Sequence, residues 1–125
     1  MRLSTMKVRA ESFDKARFLA SVGGDVKLVR ELVSLLLECA PSELEELREA
    51  VKHRDKQGIE RVAHSLKSVF NNFAAGDAVA VATKLEAMGH DGNIDTAEQE
   101  FSKLETEFAQ LCSALMVFRN ECIGD

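Results

Sequence analysis

The chain has 125 residues, enough for one domain with a single hydrophobic core. Apolar residues make up 46% and charged residues 30%, with one proline, a globular composition and not a disordered one. The net charge of −5, with no lysine- or arginine-rich block, argues against nucleic acid and anionic membrane as partners, since both demand concentrated positive charge.

Residues 1–11 carry no clear pattern and are expected to form a tail. They include basic residues but no continuous apolar region, so they do not read as a signal peptide. A short helix is expected from about Asp14 to Ala20, with Phe13, Phe18 and Leu19 as its apolar residues and Gly23-Gly24 as its stop. Asp25 suits the cap of a second helix carrying Val29, Val33, Leu36, Ala40, Leu44, Leu47 and Val51. Pro41 interrupts that stripe, and Ser42 followed by Glu45 suits a new start, so the segment reads as two helices or one bent one. Asp55 caps a third helix, about Lys56 to Phe73. A joint at Ala74 to Asp77 leads to a fourth, with Ala78, Val81, Ala82, Leu85 and Met88 facing inward, and Gly89 to Asn93 reads as a loop. The last helix has the most regular stripe: Ile94, Ala97, Phe101, Leu104, Phe108, Leu111, Leu115 and Phe118.

Missing Trp and Tyr, and abundant Leu, Ala, Val and Glu, favour helix over strand. The expected fold class is therefore all-α: an antiparallel four-helix bundle with an additional short N-terminal helix. The expected organisation is an N-terminal tail over 1–11, the bundle over 12–119 and a C-terminal tail over 120–125. Cys39, Cys112 and Cys122 are widely spaced and odd in number, which suits reduced thiols in a cytoplasmic protein. No apolar run approaches the roughly 18 residues of a membrane span.

The most informative residue is His64. The apolar stripe of its helix runs through Ile59, Val62, Leu66, Val69, Phe70 and Phe73. Leu66 lies two positions on, roughly 200° around the axis, so His64 points away from the buried side. Lys67, Ser68 and Asn71 come round to its face. An exposed imidazole beside a fixed cation is a landing site for a phosphoryl group. Other chemistries find little support. No two histidines sit at helical spacing for a metal, and no phosphate loop, nucleophile elbow or Cys–His arrangement is present. His53, at a helix end, and His90, read as a loop residue, are weaker candidates.

The run His64-Ser65-Leu66-Lys67 resembles the His-x-Leu-Lys signature of histidine-containing phosphotransfer (HPt) domains. Upstream, Phe13-Asp14, Gly23-Gly24-Asp25, Pro41 and Leu44 to Leu47 match the family's run-up. Downstream, Asn72, Ala75 and the pair Leu85-Glu86 match in register without a gap. The resemblance covers about Phe13 to Phe118. It implies a helical bundle whose exposed His64 accepts a phosphoryl group and relays it to or from an aspartate of a response-regulator receiver domain. Such a protein is a carrier without kinase activity of its own. Its partners would be a receiver domain, a sensor histidine kinase or both, and it would act as a cytoplasmic monomer. It would hold no cofactor or metal itself, with Mg²⁺ expected on the receiver. Lys67 would balance the phosphate charge, Glu86 from the next helix would orient the imidazole, and Ser68, Asn71 and Arg61 would contact phosphate or partner. Two positions depart from the family pattern: Ser68 and Ala74 stand where it usually has Gly. These leave two alternatives, a non-catalytic interaction module with a degenerate site and the phosphoacceptor domain of a larger hybrid histidine kinase.

Overall fold

The computed structural model describes the backbone of residues 12–124 and the side chains through Glu121. Within it lie five helices: α1 (Lys15–Ser21), α2 (Val26–Lys52), α3 (Lys56–Asn72), α4 (Gly76–Asp91) and α5 (Ala97–Gly124). Helix α2 packs against α3 and α5, and α4 packs against α3 and α5, so four helices close a ring around one core. The α3–α4 hairpin is its most intimate pair. Among the described residues there is no strand, and no helix is long and apolar enough to cross a membrane.

Aspartates start three of these helices. The carboxylates of Asp14, Asp25 and Asp55 accept hydrogen bonds from the backbone N–H groups of Arg17, Leu28 and Gly58, each a donor without an intrahelical partner. Asp25 and Asp55 therefore cap as the sequence leads one to expect. The apolar stripes also face inward as expected: Val29, Val33, Leu47, Ile59, Leu66, Leu85, Leu104, Leu111 and Leu115 are all fully buried. At one end, α1 closes the bundle with an aromatic cluster. Phe18 lies 5.0 Å from Phe73 and Phe13 lies 5.5 Å from Phe118, centroid to centroid.

One open sequence expectation is decided and three change. First, α2 is one continuous helix with the exposed Pro41 inside it. The missing Pro N–H and ring clash cost about 3 kcal/mol, but Leu36, Ala40, Leu44 and Leu47 form one buried stripe that spans the site and anchors the helix on both sides of it. Second, α4 runs on through Gly89 and His90 to Asp91, and stops at Gly92, which has the left-handed φ of 81°. Gly89 is a packing residue and not a breaker: a Cβ there would stand 2.6 Å from the Glu60 amide nitrogen and 2.8 Å from the Lys56 carbonyl oxygen. Third, Ile94 is buried ahead of α5 and not within it. Fourth, α5 passes the expected boundary at 119 and continues to Gly124, because no glycine or proline interrupts Arg119 to Ile123. The expected tail over 1–11 lies outside the described residues.

Three of the helix ends share one turn. After α1, α2 and α3, two backbone N–H groups fold back on the last carbonyls in the 6→1 and 5→2 pattern. The left-handed residue is Gly23 in the first turn, Arg54 in the second and Ala74 in the third, with φ of 67°, 55° and 55°. In the third, the N–H of Ala75 bonds Phe70 O at 3.1 Å and that of Ala74 bonds Asn71 O at 3.0 Å. The Ala74 carbonyl in turn accepts from the N–H of Asp14 at 2.9 Å, fastening the start of α1 to the α3–α4 turn.

Candidate functional site

The α3–α4 turn fixes the register of everything that follows. His64 and Glu86 each lie eleven positions from Ala75, so the antiparallel hairpin sets them side by side. Leu66 and Phe70 on one helix and Leu85 on the other are fully buried, which holds both helices by their inner sides and leaves this edge outward.

The imidazole is exposed, with 61% of the side chain open to solvent. Its Nδ1 stands 2.7 Å from Glu86 Oε2. Lys67 Nζ donates to the other carboxylate oxygen, Oε1, at 2.6 Å. Glu86 thus bridges imidazole and ammonium, and it is only 22% exposed. Lys67 holds the Glu86 carboxyl below the usual carboxylate range, partial burial works the other way, and the hydrogen bond from His64 adds to the lowering. An ionised Glu86 only accepts, so Nδ1 is the nitrogen that carries the proton. In the neutral ring the lone pair then sits on Nε2, which has no hydrogen-bond partner among the described residues. The arrangement presents a nucleophilic nitrogen to solvent on a rigid helix, with a cation one turn away.

The structure brings some sequence candidates to His64 and leaves others apart. Arg61 lies one turn before it, and the two share an open depression with Gln57, Glu60 and Glu86. The guanidinium is 3.8 Å from Glu46 of α2. The Ser68 hydroxyl turns back on its own helix, donating to the His64 carbonyl at 3.3 Å. Asn71 is exposed but two turns on, about 10 Å along the axis, where it lines a separate depression with Arg17, Ser21 and Asn72. Two further residues escaped the sequence reading. Glu43 of α2 accepts a hydrogen bond from Ser65 at 2.9 Å, and Glu60, one turn before His64, accepts one from His90 of α4. Glu60 was legible as an i−4 neighbour of His64; Glu43 required the packing of α2 on α3.

On the α2–α3 side of the bundle, Leu32, Leu35, Leu36 and Cys39 of α2 and Val69 and Phe73 of α3 line an open apolar depression. Leu35 is 55% exposed there. Among the described residues no group of three or more His, Cys, Asp or Glu side chains is placed to hold a metal ion.

The geometry agrees with what the chain is similar to. The crystal structure of histidine-containing phosphotransfer protein B (HptB) from Pseudomonas aeruginosa superposes with a TM-score of 0.81. The match covers 89% of this chain and 96% of that one at 23% sequence identity, a likeness of fold. Among curated protein sequences none matches this chain. The family model of the Hpt domain matches residues 31–114, a span that contains α3, α4 and the whole His64–Lys67–Glu86 cluster. With two thirds of its length matched by that model, the chain belongs to the Hpt domain family.

Proposed function

We propose that this protein is a phosphoryl carrier that accepts on His64 and exchanges the group with an aspartate of a receiver domain. The observation that carries the reading is the bridged cluster, in which Glu86 holds Nδ1 at 2.7 Å and leaves Nε2 outward. In the forward step the Nε2 lone pair attacks the phosphorus of the partner's aspartyl phosphate in line. The N–P bond forms, the acyl P–O bond breaks, and its electron pair returns to the aspartate carboxylate. The ring becomes cationic, and Glu86 stabilises that charge through the Nδ1 proton. Lys67, one turn from His64, offsets charge on the incoming phosphoryl group, an effect that grows when a docked partner excludes water. Arg61 lies on the same depression and serves the phosphate or the partner. Ser68 and Asn71 are left as contacts to the partner, since neither points its bonds at the imidazole. The exposed Leu35 and its apolar neighbours on α2 and α3 offer a receiver an apolar surface, linked to the His64 helix by Glu43, which lines it and bonds Ser65.

The carrier has no kinase activity of its own in this scheme, acts in the cytoplasm as a monomer, and takes Mg²⁺ from the receiver's acidic site. Incubation with a phosphorylated receiver domain or histidine kinase tests it. The wild-type protein should acquire acid-labile, alkali-stable label and His64→Gln should acquire none; equal labelling of the two would eliminate His64 as the acceptor.

A further inference from the structure

The α3–α4 hairpin builds a second imidazole–carboxylate pair by the same register that builds the first. Glu60 and His64 are four residues apart on α3, and Glu86 and His90 are four residues apart on α4. His90 and Glu60 each lie fifteen positions from Ala75, so the antiparallel pairing sets them opposite one another as well. The His90 Nδ1 stands 3.1 Å from Glu60 Oε2. The ring is 73% exposed, and among the described residues its Nε2 has no hydrogen-bond partner. The close backbone approach at Gly89 keeps the two helices at the spacing this contact needs. The Lys56 ammonium lies at the end of the His90 helix, 3.6 Å from where a Cβ on Gly92 would be. The exposed ring itself is what leaves His90 open to an incoming phosphate.

We propose that His90 is a second phosphoryl-accepting histidine, with Glu60 in the position that Glu86 holds for His64. The inference rests on the reading of His64 given above, since both use one arrangement: Nδ1–H on a cross-helix carboxylate and Nε2 free. His53 marks the contrast. Its Nδ1 faces the Glu49 carbonyl of its own helix at 2.9 Å, and among the described residues no neighbouring helix contributes a carboxylate.

A small phosphoryl donor such as phosphoramidate reads the imidazoles without requiring a docked partner. The Nε2 lone pair attacks phosphorus, the new N–P bond forms, the donor's P–N bond breaks, and its electron pair leaves with ammonia. The Nδ1 proton stays in its hydrogen bond to the carboxylate. The full chain, His64→Gln, His90→Gln and the double variant are treated at mildly alkaline pH, and modified histidines are mapped by tandem mass spectrometry. His64→Gln should still take up one phosphoryl group, at His90 and several-fold faster than His53 does, and the double variant should fall to the His53 rate. If His64→Gln and the double variant label alike, or if His90 labels no faster than His53, the inference is overturned. The two readings fail separately: label at His90 without label at His64 removes the proposed function and leaves this one, and the converse pattern does the reverse.

Discussion

The two imidazole–carboxylate pairs of the α3–α4 hairpin use the same side chains in the same register, yet they sit in different electrostatic settings. Glu86 is largely covered and also binds Lys67, so its charge is fixed and its position is held from two sides. Glu60 is 41% exposed and, among the described residues, pairs only with the ring of His90, across a longer contact. A carboxylate that is half in water contributes a weaker and more screened partner than one held against an ammonium away from water. Register alone therefore places an imidazole, while burial and the neighbouring cation determine how firmly it is oriented.

The strongest way to break this comparison is to separate the helices. Gly89→Ala drives a methyl group into the α3 backbone, where neither Glu60 N nor Lys56 O has room to give. It should cost about 1–3 kcal/mol in urea unfolding and weaken both cross-helix pairs together; an unchanged midpoint would show that the approach is slack. Lys67→Met sharpens the comparison by making the first pair resemble the second. It should slow phosphoryl transfer while removing about 0.5–1 kcal/mol of stability at neutral pH.

That loss has a pH signature. Glu86 has a lowered carboxyl pKa, chiefly because of Lys67, so its contribution is fully present above the ordinary carboxylate pKa and fades as pH falls through the lowered folded value. The stability gap between wild type and Lys67→Met should close on acidification, and a gap independent of pH would contradict the assignment. Ala74→Gly acts on the turn that sets both pairs. It relieves an alanine at φ 55° and should stabilise the protein by about 0.5–1 kcal/mol, net of glycine's greater chain entropy. Arg54→Gly in the equivalent turn after α2 gives a matched control. His90→Gln should have the smallest effect, within about 0.5 kcal/mol of wild type in thermal unfolding, as for an exposed pair.

Much of this was legible in the chain because helical period carries it. The stripes from Val29 to Phe118 gave the bundle, and the two-residue offset of His64 from Leu66 gave its exposure. The match at Leu85-Glu86 pointed to the imidazole's partner. What stayed hidden was the result of packing between helices. Pro41 reads as a break or a bend, and the stripe that carries the helix through it lies about a quarter turn round on the buried side. Gly89 reads as a loop residue because glycine needed for close approach and glycine needed for a turn look the same in sequence. His90 reads as a loop residue with it, and its carboxylate partner is thirty positions away. Lys67 was expected to stand ready for phosphate; its bond to Glu86 depends on a cross-helix distance that no local pattern encodes. Ser68 and Ala74 stood out only by comparison with the family, and the structure separates them. Ala74 occupies a left-handed conformation that favours glycine, whereas Ser68 lies in regular helix with its hydroxyl turned back on the chain.

The turn through Phe73, Ala74 and Ala75 also limits how this hairpin can change length. One inserted residue there would advance α4 by about 1.5 Å and rotate it by about 100°. Leu85 would swing out of the core, and both histidines would lose their carboxylates in one event. An insertion between Gly92 and Thr96 would leave the hairpin untouched. Length variation should therefore be tolerated in the second connection and purged from the first, even though the exchange of Ala74 for glycine is mild. The three-residue turn acts as a ruler, and its count of residues matters more than their identity.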